Sequence, residues 1–183
     1  MGALVSLADV LDRLVERVGR ATAWANLALV LVMAANVLLR YVFTTGAVWA
    51  QELEWHLMSP IILLGMSYAI QQEGHVRVDF VFAKFPHWLK AVIDALTHAL
   101  VLAMALIIVW LSLDYVGQSF GNNEGSPDPG GLPMRWLLKA FIPVGFSLLA
   151  VQALAGTLRS LISLSLGTPL QSEIAPHAQE EAI

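Results

Sequence analysis

Ser67 is the first residue to test for chemistry, because Gly65-Met-Ser67-Tyr-Ala69 approximates a G-x-S-x-G nucleophile elbow and His98 could serve as its base. That motif needs a strained strand-to-helix turn. Here the five residues lie inside a long uncharged run that reads as a membrane helix. Small residues at i and i+4, Gly65 and Ala69, fit a close helix contact better. The histidines do not suggest a haem site either. Bis-histidine ligation needs two imidazoles at one depth, whereas His56 and His98 differ in depth by roughly 10–15 Å at the helical rise per residue. His75 and His87 fall in a loop. The sequence holds no GxxxxGK[ST] phosphate loop and no HExxH. With no cysteine, it offers no thiolate nucleophile, thiolate metal site or disulfide.

Polar residues near the ends of the apolar runs are the remaining candidates. Asn36 and Arg40 share a helix face at i,i+4, and Glu52, His56 and Ser59 share another at i, i+4, i+7. Polar groups in a membrane are expensive and usually face protein. They could contact a partner or a substrate path. The simpler reading is an Arg40–Glu52 ion pair that locks two helices across a short connection, with Arg40 reaching the headgroups. Pro60 leaves the carbonyl of His56 without its helical donor, so a kink is expected there.

The elements that position these residues follow from composition. The chain has 183 residues, 57% hydrophobic and 13% charged, with mean hydropathy +0.69. Its apolar residues are gathered in four runs of about 20, the length a helix needs to cross a ~30 Å hydrocarbon core. The runs are Ala21–Leu39, Trp55–Gln72, Ala95–Leu113 and Ala140–Leu158. Residues 1–20 are expected as a cytoplasmic amphipathic helix lying in the membrane interface. Leu7, Val10, Leu11, Leu14, Val15 and Val18 recur at helical spacing, and Asp9–Arg13 and Glu16–Arg20 are i,i+4 pairs. Residues 21–160 are expected as a four-helix transmembrane domain and 161–183 as a disordered cytoplasmic tail. The stretch from Phe82 to Asp94 has the spacing of an interfacial helix entering the third span. The Gly- and Pro-rich connection from Gly121 to Pro133 reads as an ordered turn or coil. The fold class is therefore all-α, an integral membrane bundle.

Lys and Arg set the orientation. Seven of them (Arg13, Arg17, Arg20, Arg77, Lys84, Lys90 and Arg159) fall on one side and three (Arg40, Arg135 and Lys139) on the other. Both termini are expected in the cytoplasm. Trp49, Trp55, Trp110, Tyr115 and Trp136 then form an outer aromatic belt, with Trp24 and Trp88 near the inner interface.

Four stretches together resemble a known family. They are Asn36-Val-Leu-Leu-Arg40-Tyr41, Trp49-Ala-Gln-Glu52-Leu53-Glu54, Gly65-Met-Ser-Tyr-Ala69 and His75-Val-Arg77-Val-Asp79. The chain resembles, from about Ala21 to Ser160, the small permease subunit of tripartite ATP-independent periplasmic (TRAP) transporters. The segment from Ser126 to Trp136 is similar to the branch associated with 2-oxo acids and other organic acids. The resemblance implies a sodium-driven secondary transporter in a bacterial inner membrane. It also implies a large permease subunit that carries the sodium sites and moving domain, and a periplasmic protein that captures the solute. The small subunit braces the large one, with no catalysis, no cofactor, no metal and no nucleic-acid partner. Asn36, Arg40, Glu52, His56, Gly65, His75, Arg77 and Asp79 are then structural or partner contacts. An intramembrane serine protease using Ser67 and His98, and a self-sufficient small channel or carrier, are the alternatives.

Cysteines introduced at Asn123 and at Ala178 are expected to react from opposite sides of the membrane, Asn123 from outside. Equal access of an impermeant thiol reagent to both in intact cells would reject this orientation.

Overall fold

Apolar runs of this length can satisfy their backbone N–H and C=O groups inside a bilayer as helices, and helices form. The computed structural model describes residues 2–44, 46–72 and 85–167. Among them the chain forms α1 (Gly2–Val42), α2 (Val48–Gln71), α3 (His87–Gly121) and α4 (Arg135–Leu166). Each is long and apolar enough to cross a membrane, and the fold is the expected all-α membrane bundle.

α4 is the hub. It packs against α1, α2 and α3, and α1 also packs along α2. The cause lies in its buried face, where Gly145, Ala150, Ala153, Ala155 and Ser160 are small. Small residues let helix backbones approach where lipid supplies no hydrophobic drive for association. Leu149 and Ala150 meet Ala105 of α3, with Met66, Ile70, Val101 and Phe146 around them. A Cβ on Gly145 would lie 2.7 Å from Leu63 Cβ and 2.8 Å from the Leu63 carbonyl oxygen, so α2 and α4 touch backbone to backbone there. Gly19 lies against the Tyr68 ring and Gly156 against the His98 ring, each too close to admit a Cβ. Gly65 has a lesser part than expected. A Cβ there would make an ordinary 3.9 Å contact with the Thr22 methyl, and Ala69 is exposed.

The N-terminal segment is not a separate interfacial helix. α1 runs unbroken for 41 residues, about 60 Å at the α-helical rise. Between Leu4 and Leu39 there is no proline, and the one glycine, Gly19, is packed against Tyr68. Because α1 is about twice the ~30 Å core, its first turns lie beyond the hydrocarbon or along its surface. Leu7, Val10 and Leu14 are exposed, while Ala8, Asp12, Val15 and Thr22 form the stripe buried against the bundle. Glu16 pairs with Arg20 as expected, but Asp9 turns from Arg13 to Arg159 of α4.

α3 starts directly after Pro86 and continues into the span without a break. Residues 82–84 of the expected interfacial helix lie outside the described residues. α4 runs past Ser160 to Leu166 and stops at Gly167. That glycine takes the left-handed conformation (φ 67°) and returns its N–H to Ser163 O at 3.0 Å. The remainder of the expected tail, from 168, is outside the described residues.

Gly145→Ala is expected to lower the melting temperature of the full chain in detergent, because overpacking typically costs about 1–3 kcal/mol. Gly117→Ala meets open space and should leave it unchanged or raise it, since Ala favours a helix interior by about 1 kcal/mol. Equal melting temperatures for the two variants would refute the crossing.

Candidate functional site

Polar side chains gather at the two ends of the bundle. At the N-terminal end the centre is Asp12, only 2% exposed. Arg159 of α4 donates to Asp12 Oδ2 through Nε (2.9 Å) and Nη2 (2.5 Å), and to Asp9 Oδ1 through Nη2 (2.6 Å). Gln152 Nε2, two turns earlier on α4, donates to Asp12 Oδ1 at 3.1 Å. Gln71 Nε2, at the end of α2, donates to the Asp12 carbonyl at 2.7 Å. Both carboxylate oxygens are therefore satisfied, and three helices meet on one residue.

At the other end the centre is Glu52, 3% exposed near the start of α2. Its carboxylate accepts from the Ser126 hydroxyl and from the Leu132 N–H (2.5 Å), which pins the connection between α3 and α4 over α2. That connection is ordered, as expected, by its own bonds. Ser126 N–H donates to Leu132 O (3.1 Å) and Arg135 N–H to Glu124 O (2.9 Å). Gly131 lies against Ser126 and Glu52 with no room for a Cβ. Glu124 accepts from the Lys139 ammonium (2.5 Å) and the Ser119 hydroxyl (2.6 Å). The Lys139 bond first, then that of Ser119, holds the Glu124 carboxyl below its ordinary range. Lys139 Nζ also stands 4.1 Å from the Tyr115 ring centroid. Phe120 meets Trp136 edge-on, with 5.1 Å between ring centroids.

The sequence-derived candidates divide between these places. Asn36 and Glu52 both join elements of this chain, Glu52 through partners other than the expected Arg40. The Arg40–Glu52 pair does not form, because Glu52 is turned into the loop. Arg40 is exposed and makes no ion pair among the described residues. α1 and α2 are instead tied by Asn36 Nδ2, which donates to Glu54 Oε1 at 2.7 Å. His56 Nδ1 donates to the Glu52 carbonyl at 2.7 Å, so its proton is on Nδ1 when the ring is neutral, and Nε2 is buried without a partner among the described residues. Gly65 faces Thr22. His75, Arg77 and Asp79 lie outside the described residues.

Ser67 is fully buried and its hydroxyl has no partner among the described residues, while His98 bonds Asp94 O through Nδ1 (2.7 Å) and packs on Gly156. The serine–histidine hydrogen bond of a protease is not made. Among the described residues, no three His, Asp or Glu side chains gather as metal ligands. What both clusters do is join helices. Asp9, Asp12, Gln71, Gln152 and Arg159 were not among the candidate site residues read from sequence, although Gln152 and Arg159 stand seven residues apart on one helix face.

Residues 29–163 match the family described as tripartite ATP-independent periplasmic transporters, DctQ component. The chain belongs to that family. It is 27% identical over 143 residues to the isethionate TRAP transporter permease protein DctMQ of Oleidesulfovibrio alaskensis, covering 73% of this chain and 22% of that one. It is 25% identical over 114 residues to the sialic acid TRAP transporter permease protein SiaT of Haemophilus influenzae, covering 62% of this chain and 18% of that protein. It is 26% identical over 128 residues to the C4-dicarboxylate TRAP transporter small permease protein DctQ of Pseudomonas aeruginosa, covering 69% and 61%. The chain thus spans about a fifth of the first two relatives and under two thirds of the third.

Removing one partner of a buried ion pair typically costs about 3–5 kcal/mol, because the survivor keeps its desolvation penalty. Arg159→Ala is expected to lower the melting temperature more than Asp12→Ala. The first leaves two carboxylates without a cation, and the second leaves Arg159 still paired with Asp9. The double mutant should be less damaged than the two effects added, with coupling of ~0.5–3 kcal/mol. Simple additivity in detergent melts would show that the two residues are not coupled.

Proposed function

We propose that this chain is the small membrane subunit of a sodium-driven secondary transporter, that it braces a larger permease subunit, and that the assembly imports organic acids. The carrying observation is a bundle of this family in which the buried Asp12, Glu52, Gln71 and Gln152 are engaged in holding its own elements together. The relatives' names support the solute class: isethionate, sialic acid and C4-dicarboxylates are all organic anions at neutral pH. The partner is supported by proportion, because most of the isethionate and sialic acid permeases lies outside the match. The bundle has exposed apolar residues to offer a permease or lipid, among them Leu31 and Leu38 on α1 and Leu100 and Leu111 on α3. Sodium coupling and a periplasmic substrate-binding protein follow from the family resemblance. Placement in a bacterial inner membrane with both termini cytoplasmic is supported by the resemblance and by the Lys and Arg distribution.

The tagged full chain, isolated from its own membranes in mild detergent, should bring down a much larger membrane protein. Recovery as a homo-oligomer that transports alone in proteoliposomes would favour the channel or carrier instead. Substitutions at Asn36, His56 or Ser59 should change uptake rate or complex yield and leave the relative preference among solutes unchanged. A switch in preference would overturn the bracing role.

A further inference from the structure

A groove of about 600 Å³ lies between α1 and α2 near the Glu52 end of the bundle. Val32, Ala35, Asn36 and Leu39 form one wall at i, i+3, i+4, i+7, and Trp49 and Leu53 stand on the other. Its polar side chains already have partners: Asn36 donates to Glu54, and Thr44 to the Phe43 carbonyl. What the groove offers an occupant is apolar. Arg40 stands at its rim. A Cβ on Gly46, which lines the groove, would lie 3.9 Å from Arg40 Nε. Arg40 is exposed and has no ion pair among the described residues. From Val32 to Arg40 the helix rises about 12 Å, most of the ~15 Å hydrocarbon depth of one leaflet.

We propose that this groove is a phospholipid site, with the phosphate diester on the Arg40 guanidinium and one acyl chain along Val32, Ala35, Leu39 and Trp49. A guanidinium matches a phosphate with two parallel N–H donors. A neutral diglyceride would fill the groove and leave the cation without its anion. A free phosphate would meet the cation and leave the groove empty. A phospholipid satisfies both. The site needs only that the chain spans a membrane and does not depend on the transport role.

The test uses the full chain in a maltoside detergent, titrated with phosphatidylglycerol carrying brominated acyl chains, which quench indole on contact. The contribution of Trp49 is the difference between wild type and Trp49→Phe. Half-quenching of Trp49 is expected at about five-fold lower mole fraction than with brominated diacylglycerol, the factor one cation gives at a lipid headgroup. Arg40→Gln should remove this preference and Arg40→Lys should keep most of it. Ala35→Phe fills the groove with Arg40 intact and should reduce quenching by either lipid. Circular dichroism checks each variant's helix content, and if Arg40→Gln does not fold, the Arg40→Lys and Ala35→Phe results decide. Equal quenching by the two lipids in wild type, or a preference that survives Arg40→Gln, overturns the site. Absence of Trp49 quenching by either lipid overturns it as well, and indicates a partner's side chain as the occupant.

Discussion

A carboxylate almost closed off from water is stable only while its charge is compensated, and Asp12 places that condition on three helices at once. Arg159 neutralises it from α4, Gln152 saturates its second oxygen, and Gln71 brings the end of α2 to its backbone carbonyl. None of these groups can leave without exposing another. The geometry of the N-terminal end follows. α1 must present Ala8, Asp12, Val15 and Gly19 inward, which leaves Leu7, Val10 and Leu14 outside for lipid or a partner. The same requirement explains why the first twenty residues continue α1 instead of folding away as a free interfacial helix.

Between the ends the packing is of another kind. Lipid tails are as apolar as leucine, so helices gain little by burying leucine against one another. They gain by fitting closely, and Gly19, Gly145 and Gly156 let Tyr68, Leu63 and His98 into spaces that no side chain could share. α4 carries most of these small positions and so becomes the hub, with α3 attached chiefly through it.

The four apolar runs at the centre of the helices and the order in the Gly- and Pro-rich loop were legible in the sequence, because long uncharged runs and turn residues are local signals. The fusion of the N-terminal segment into α1 and the extension of each helix beyond its run were not. Nor were the partners of the polar groups. Arg40 and Glu52 are close along the chain, and proximity in sequence suggested the pair. Glu52 instead meets Ser126 and Leu132, more than seventy positions away, because an ordered loop offers fixed donors to a buried acid at no further cost in ordering. Asp9 likewise left its i,i+4 neighbour for Arg159, where its charge helps to surround a cation already held by Asp12. Gln152 was hidden by its own surroundings, since one amide in an apolar run barely changes hydropathy. Gly65 was legible as a small residue but not as a lesser contact, because a small-residue motif does not say which face meets a neighbour.

The two polar clusters matter together because of their separation. Asp12 and Asn36 are both tied to α2, one through Gln71 and the other through Glu54, and they lie about 36 Å apart along α1 at the helical rise. A helix pair joined at one point can pivot about it, whereas a pair joined at both ends resists pivoting. The same holds for α3 and α4, fixed by Glu124, Ser119 and Lys139 at one end and by His98 on Gly156 at the other. α2 and α4 are fixed by the loop on Glu52, by Leu63 on Gly145, and by the two glutamines that share Asp12. Three of the four packed pairs, α1–α2, α3–α4 and α2–α4, therefore have their sliding and hinging motions opposed at separated points, while α1 and α4 are bonded at the Asp12 end. Asp12, Glu52, Gln71 and Gln152, buried polar residues of the kind that invite a search for a solute path, act here as joints between elements. A solute path would need such groups left free to exchange partners, and here Asp12, Glu52 and Arg159 are each bonded within the chain.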